Sequence, residues 1–161
     1  MTTRSTPPAL LIALLVSVLP ASAEDPQVAV HTAAVRAVEV AEAAPVPPDL
    51  RAWASKLEKL PGAHRFELLG QSVRRGPPGA PLVFSLPAEH EAQVVAVGRP
   101  DGRVDVRVVI TRPGKQPGTR EQVLAHEVVV DDGGTWVVRL QDALGRGEHL
   151  LLLMTAGARG G

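Results

Sequence analysis

The chain has 161 residues, 17 basic and 17 acidic side chains, a net charge of zero and 45% apolar residues. That length and apolar content suit one domain with a real core and oppose wholesale disorder, while the balanced charge removes the basic face that nucleic-acid binding needs. Cysteine is absent, which excludes disulfides, thiol catalysis, Cys-ligated zinc and a lipid-modified N-terminal cysteine. Arg outnumbers Lys 14 to 3, and Asn and Tyr are missing; these choices track GC-rich codons, so the low aromatic fraction carries no weight about the fold.

The first 23 residues divide into three parts with different physics. Arg4 supplies a short positive stretch, residues 9–19 are an unbroken apolar run apart from Ser17, and Pro20 precedes the small residues Ala21, Ser22 and Ala23. This is the pattern of a secretory signal peptide cleaved after Ala23. The competing reading, an uncleaved anchor, requires a span of roughly 30 Å, whereas the run reaches only about 16 Å as a helix. No later stretch approaches the length of a membrane helix, so a mature protein without a membrane span is expected.

Residues 27–40 are rich in Val and Ala, with Val28, Val30 and Thr32 alternating as in a strand, and a strand is expected over the first part. Residues 43–48 hold three prolines and read as a stiff connector. Residues 49–60 read as an amphipathic helix: Asp49 is placed to cap it, Leu50, Trp53, Leu57 and Leu60 share one face, and Pro61-Gly62 ends it. Twelve residues do not persist as an isolated helix, so the Leu/Trp stripe must dock on a sheet as a lid.

From Ala63 onward short alternating segments follow one another. Strands are expected at residues 64–73, 82–86, 91–99, 103–112, 122–130, 135–140 and 148–155. Pro100-Asp101-Gly102 and Asp131-Asp132-Gly133-Gly134 read as hairpin turns. The last strand is apolar on both faces, which fits an interior position. The fold class is therefore α+β, mostly antiparallel β, sandwich-like with seven to eight strands and one short amphipathic helix. In this division, residues 1–23 are the leader and 24–48 an N-terminal strand with its connector. Residues 49–161 carry the helix and the β-rich part, in one globular domain with 24–48.

Candidate chemistry is sparse. Ser55, Ser72 and Ser85 are the serines beyond the leader, and none sits in a nucleophile motif. His31, His64, His90, His126 and His149 show no metal-binding spacing. Glu89-His90-Glu91 gathers three ligand types, but strand neighbours point to opposite faces. A spatial convergence of His90, His126 and His149 is the one arrangement that would support a metal or hydrolytic site. The residues at 131–134 lack the alternating oxygen ligands of a calcium loop. Arg74 and Arg75 precede Gly76-Pro77-Pro78-Gly79 and are read as lying in a tight basic loop, whose turn would bring both guanidinium groups to one rim as a docking spot for an anionic partner. Trp53 and Trp136 read as core. No catalytic residue, metal ligand or cofactor is assigned.

Five short motifs carry a resemblance: Leu57-Glu58-Lys59-Leu60, Phe66-Glu67-Leu68-Leu69-Gly70, Ser85-Leu86-Pro87, Asp132-Gly133-Gly134-Thr135 and Leu150-Leu151-Leu152-Leu153. In this order they make residues 49–156 resemble a group of small exported, uncharacterised β-rich proteins of GC-rich bacteria. Residues 128–155, with a valine run, an aspartate-glycine turn and an aliphatic strand, are also similar to the end of secretin channel domains. Arg139-Leu140-Gln141 departs from the glycine-rich continuation of that pattern, and no pore-forming segment follows. The first resemblance implies a fold and an envelope location; the second implies proximity to a secretion or pilus machine. Neither brings site residues.

The function expected is a periplasmic or secreted, non-catalytic β-domain that binds or supports an unidentified envelope protein, with no nucleic-acid partner. The surface would be sheet edges or the Arg74-Arg75 segment. The alternatives are a small secreted hydrolase with a His/carboxylate or metal site, and an accessory protein of an envelope secretion or pilus machine.

Overall fold

Eight strands form two four-stranded antiparallel sheets in a computed structural model that describes residues 26–158. The expected leader and its cleavage point lie outside the described residues. Sheet I has the order β2-β1-β8-β7, from β1 (Val28–Glu39), β2 (His64–Gly76), β7 (Thr135–Gly145) and β8 (Glu148–Gly157). Sheet II has the order β3-β4-β5-β6, from β3 (Pro81–Ser85), β4 (Glu91–Gly98), β5 (Arg103–Pro113) and β6 (Arg120–Asp131). No helix among the described residues is long and apolar enough to cross a membrane.

The main core lies between the sheets. Val28 and Val30 of β1, Trp136 and Val138 of β7, and Leu150, Leu152 and Met154 of β8 meet Phe84, Val94, Val106 and Ile110 of sheet II. A second apolar layer lies on the outer side of sheet I. There Ala33, Val35, Ala37, Phe66, Leu151 and Leu153 pack beneath Leu50, Trp53 and Leu57 of the lid. Strands β1 and β8 are thus sandwiched between two apolar layers, and Leu150 through Met154 are all at most 1% exposed. This accounts for the both-sided apolar sequence of β8. It also accounts for the alanines of β1, which let the two layers approach the strand closely. β1 accordingly runs to Glu39 rather than ending early.

The lid differs from the single helix read in the sequence. Residues Pro48–Trp53 form a 3-10 helix, and only Ala54–Leu57 form an α-helical turn, α1. Pro47, not Asp49, occupies the N-cap position, and no side chain caps the segment. The buried residues explain the change of pitch. Leu50 and Trp53 are three apart, where a 3-10 helix stacks side chains in line, and Trp53 and Leu57 are four apart, where an α-turn does. Leu60 is half-buried against the same layer.

Strand β2 continues through Gly76, so Arg74 and Arg75 are strand residues paired with Val30 and Ala29, not loop residues. A bulge makes this possible. Ala34 pairs with Gly70 and Val35 with Leu68, leaving Leu69 unpaired. The extra residue sends Leu68 beneath the lid and Leu69 into the inter-sheet core. Pro100-Asp101-Gly102 joins β4 to β5 as the expected hairpin turn. Asp131-Asp132-Gly133-Gly134 also turns the chain, but the expected hairpin is not formed: the turn carries the chain from β6 at the edge of sheet II to β7 at the edge of sheet I, and β7 pairs with β8 instead, where Trp136 and Val138 reach the inter-sheet core. Gly102 and Gly133 adopt φ of +78° and +77°, a conformation that side chains with a Cβ resist.

Candidate functional site at the polar end of the sandwich

Antiparallel pairing gathers polar side chains at one end of the molecule. Glu39 is the last residue of β1 and pairs with His64, the first of β2. His149, near the start of β8, pairs with Ala37. The donor atoms of Glu39, His64 and His149 all lie within 4.8 Å of one another. The two imidazoles are 4% exposed, and their rings meet edge to face at 6.3 Å. His64 also stacks on Phe66, 5.8 Å between centroids.

Hydrogen bonds define what this cluster can do. The backbone N–H of Asp142 donates to His149 Nδ1 at 3.2 Å, so the lone pair of that nitrogen is occupied and the ring proton sits on Nε2. Nε2–H then donates to Glu39 Oε1 at 3.0 Å. Arg139 Nη2 donates to the same oxygen at 3.3 Å. The hydrogen bond from His149, with the positive charge of Arg139 beside it, holds the Glu39 carboxyl below the usual carboxylate value. Burial, helped by the Arg139 charge, holds His64 below the usual imidazole value.

These features fit a metal ion poorly. A cation taking His149 Nε2 would force the ring proton to Nδ1, against the Asp142 N–H, and it would share Glu39 with a guanidinium already bound there. The group is a hydrogen-bonded polar network that joins β1, β7 and β8 at their ends, with the His64 ring of β2 packed against it. None of Ser55, Ser72 and Ser85 belongs to it, and among the described residues no serine hydroxyl is hydrogen-bonded to a histidine.

The trio His90, His126 and His149 does not converge as a set. His126 is exposed on the edge strand β6, and His90 lies buried before β4, where its Nδ1 donates to the Pro87 carbonyl at 3.1 Å. Glu89, beside it, is a turn residue with φ of 58°. The partners that do meet, Glu39 and His149, are 110 residues apart in sequence, and no local spacing announces them. Arg139 and Asp142 link the network to a cavity of about 500 Å³ between the ends of the two sheets, which His90 and Arg112 also line.

Arg74 and Arg75 are separated by the pleat. Arg74 faces the inter-sheet side, where its guanidinium sits 5.8 Å above the Phe84 ring, and Arg75 faces the opposite side. They do not form one rim.

The second sheet presents a different surface. Its outer face carries Val83, Val95, Val97, Val109 and Val129, alternating with the buried residues of the same strands. Val83, Val97 and Val129 are 39%, 41% and 46% exposed. A shallow groove of about 350 Å³ crosses this face, lined by Val97, Val129 and the charged residues Asp105, Arg107 and Glu127. Strand β6, twelve residues long, borders it as a free edge.

No protein-family model and no curated protein match the chain, so the resemblance to small exported proteins finds no counterpart there. Among solved structures the chain is similar to the secretin InvG of the Salmonella SPI-1 type III secretion injectisome (residues 176-end) in the open gate state. The identity is 10% and the TM-score 0.27, over 81% of this chain and 56% of that one. The chain thus spans little more than half of that secretin, and at this score the likeness assigns neither family nor activity.

Proposed function

We infer that the protein is an exported, non-catalytic binding domain that engages a protein of the cell envelope through the outer face of sheet II. The observation that carries this reading is the unequal covering of the two sheets. The lid covers the centre of the outer face of sheet I and leaves Val73, at its β2 edge, as the only exposed valine there among the described residues, while that of sheet II exposes three valines around a groove flanked by charges of both signs. Valines clustered within a polar frame are the composition of a protein-docking patch. The leader-like first 23 residues support export. Both ring nitrogens of His149 are committed, to the Asp142 N–H and to Glu39, which supports a non-catalytic role over the hydrolase alternative.

Site-specific photocross-linking tests the reading. A benzophenone residue at Val97 or Val129, expressed in cells and activated in the envelope fraction, should give one discrete adduct. The same probe at Lys56, exposed on the lid of sheet I, should give none. Equal labelling from both faces, or none from either, overturns the assignment.

A further inference from the structure

We propose that the free edge of β6 takes up an extended, basic peptide segment of the partner as a fifth strand of sheet II. The inference rests on the reading of this sheet as the docking side and names the chemistry of what docks there. An edge strand presents a row of unpaired N–H and C=O groups, which templates another strand unless the edge is blunted. The edges of the sandwich, β2 and β7 in sheet I and β3 and β6 in sheet II, differ in this respect.

Three of them are blunted. β3 has five residues and begins with Pro81, which offers no N–H. β2 is interrupted by the bulge at Leu69 and carries Arg65, Arg74 and Arg75. β7 keeps its register with β8 only through Leu140. β6 is the exception. From Leu124 to Asp131 it holds an unbroken register with β5, and this stretch contains no proline, glycine, lysine or arginine. Among the described residues no strand pairs with its other side. The groove on the outer face reaches this edge at Glu127, Val128 and Val129, so an added strand would extend the docking face.

Charge selects the occupant. Each arginine of β5 stands directly opposite a carboxylate of β6: Arg103 opposite Asp131, Arg107 opposite Glu127 and Arg112 opposite Glu121. Arg120, the one arginine of β6, is turned back to the Thr111 hydroxyl and the Glu89 carbonyl. The edge therefore presents negative charge. The Glu127 side chain is 77% exposed beside Arg107, and Asp131 makes no ion pair among the described residues, because Arg103 is bound to Asp101. Glu127 and Asp131 lie on one face of β6 with Val129 between them. Opposite charges that face each other across strands stabilise a sheet and like charges destabilise it. The next strand of this ladder is therefore basic at two positions four residues apart. The residues that alternate with them are apolar and fall on the side of Val128 and Val130.

The capped peptide Thr-Lys-Val-Thr-Val-Lys-Thr has this pattern and serves as the probe. Titrated into the ¹⁵N-labelled protein, it should give saturable NMR shifts below about 1 mM at the amides of residues 124–131, and none at those of residues 72–76 in β2. The same peptide with Glu in place of both Lys should bind at least about 5-fold more weakly. In an extended strand the N–H groups of successive residues point to opposite edges. Of two N-methylated versions, one modified at both Lys and the Thr between them and the other at both Val, one should bind and the other should not. Glu127→Lys changes an exposed side chain, so the fold should persist while the preference moves towards the Glu peptide. No saturation below that concentration, equal binding or equal failure of the two N-methylated versions, equal affinity for the Lys and Glu peptides, or an unmoved preference in Glu127→Lys each overturns the proposal. So does concentration-dependent broadening of the 124–131 amides without peptide, which would make a second copy of the chain the occupant. Cross-linking from Val97 reports on the outer face and not on this edge, so the docking reading and the strand addition fail separately.

Discussion

Sheets I and II hold four strands each and share one core, but they are stabilised on different terms. The central strands of sheet I are buried on both faces, between the inter-sheet core and the lid. The strands of sheet II alternate, with Val104, Val106, Val108 and Ile110 at most 2% exposed and the residues between them open or half-open. The lesson is that a continuous apolar run such as Leu150 to Met154 marks a strand needing a second cover, and in this chain the cover is a segment of fewer than a dozen residues. Sheet I should therefore fail when its cover fails, and sheet II should tolerate change on its outer side.

The largest expected effect tests that cover directly. Trp53 is 6% exposed and lies across the second apolar layer, with His31 edge-on at 5.3 Å. Trp53→Ala should cost about 3–5 kcal/mol, measured as a shift of the urea midpoint. A cost below about 1 kcal/mol would mean that the lid is dispensable and that sheet I is no more dependent on it than sheet II is on a partner.

An intermediate effect should follow pH, and only sheet I should show it, because the polar network joins its strands. His64 titrates below 6.5 in the folded protein. As pH falls from 6.5 towards that lower value, the unfolded chain takes a proton that the folded one refuses, so stability drops. Glu39 titrates below 4.5, so the stability it adds above that value is lost as pH falls further through its folded value. Both terms have the same sign: the protein should be most resistant to urea above pH 6.5 and lose resistance in two stages. His64→Gln should flatten the first stage and Glu39→Gln the second. A urea midpoint independent of pH between 7 and 4 would contradict this.

What the sequence makes legible follows the same division. Period-two alternation is a local property, so the strands of sheet II, the turn between β4 and β5 and the interior position of β8 can be read from neighbours alone. The turn at residues 131–134 can be read too, but not that it crosses from one sheet to the other, because strand pairing is not local. The lid can be read as a docked stripe but not in its pitch, because the spacing of Leu50, Trp53 and Leu57 answers to the sheet beneath it. Arg74 and Arg75 mislead because Gly76 and two prolines follow them, while pairing with Val30 and Ala29 keeps the strand going. The Glu39–His149 bond is invisible for a simpler reason: it depends on β1 lying beside β8, a choice made by packing across the whole chain.

That correction to the arginines sharpens a smaller prediction at the edge between the sheets. Arg74 covers the Phe84 ring and Arg75 does not. Arg74→Ala should cost about 0.5–1 kcal/mol at this exposed position, and Arg75→Ala close to nothing. Equal costs would show that the ring contact contributes no stability and would leave the two residues interchangeable.

The smallest expected effect on stability is the one that most directly separates the two faces of sheet II. Valine to threonine keeps the β-branched shape and strand propensity while exchanging a methyl group for a hydroxyl. At Val108, which is 0% exposed, the hydroxyl enters the inter-sheet core, and the substitution should cost about 1–3 kcal/mol. At Val97 and Val129 the hydroxyl meets water, so the double substitution should change stability by less than about 0.5 kcal/mol. The same double substitution should nevertheless reduce the envelope cross-link formed from a probe at Val83, because the apolar centre of the patch has been removed while its charged frame of Asp105, Arg107 and Glu127 remains. A stability loss above about 1 kcal/mol would mean that these valines are covered in solution by another part of the protein or a second copy, and the unequal covering on which the binding role rests would be gone. Unchanged stability with an unchanged cross-link would leave the face bare but unused, and would move the search for the contact to the free edge of β6.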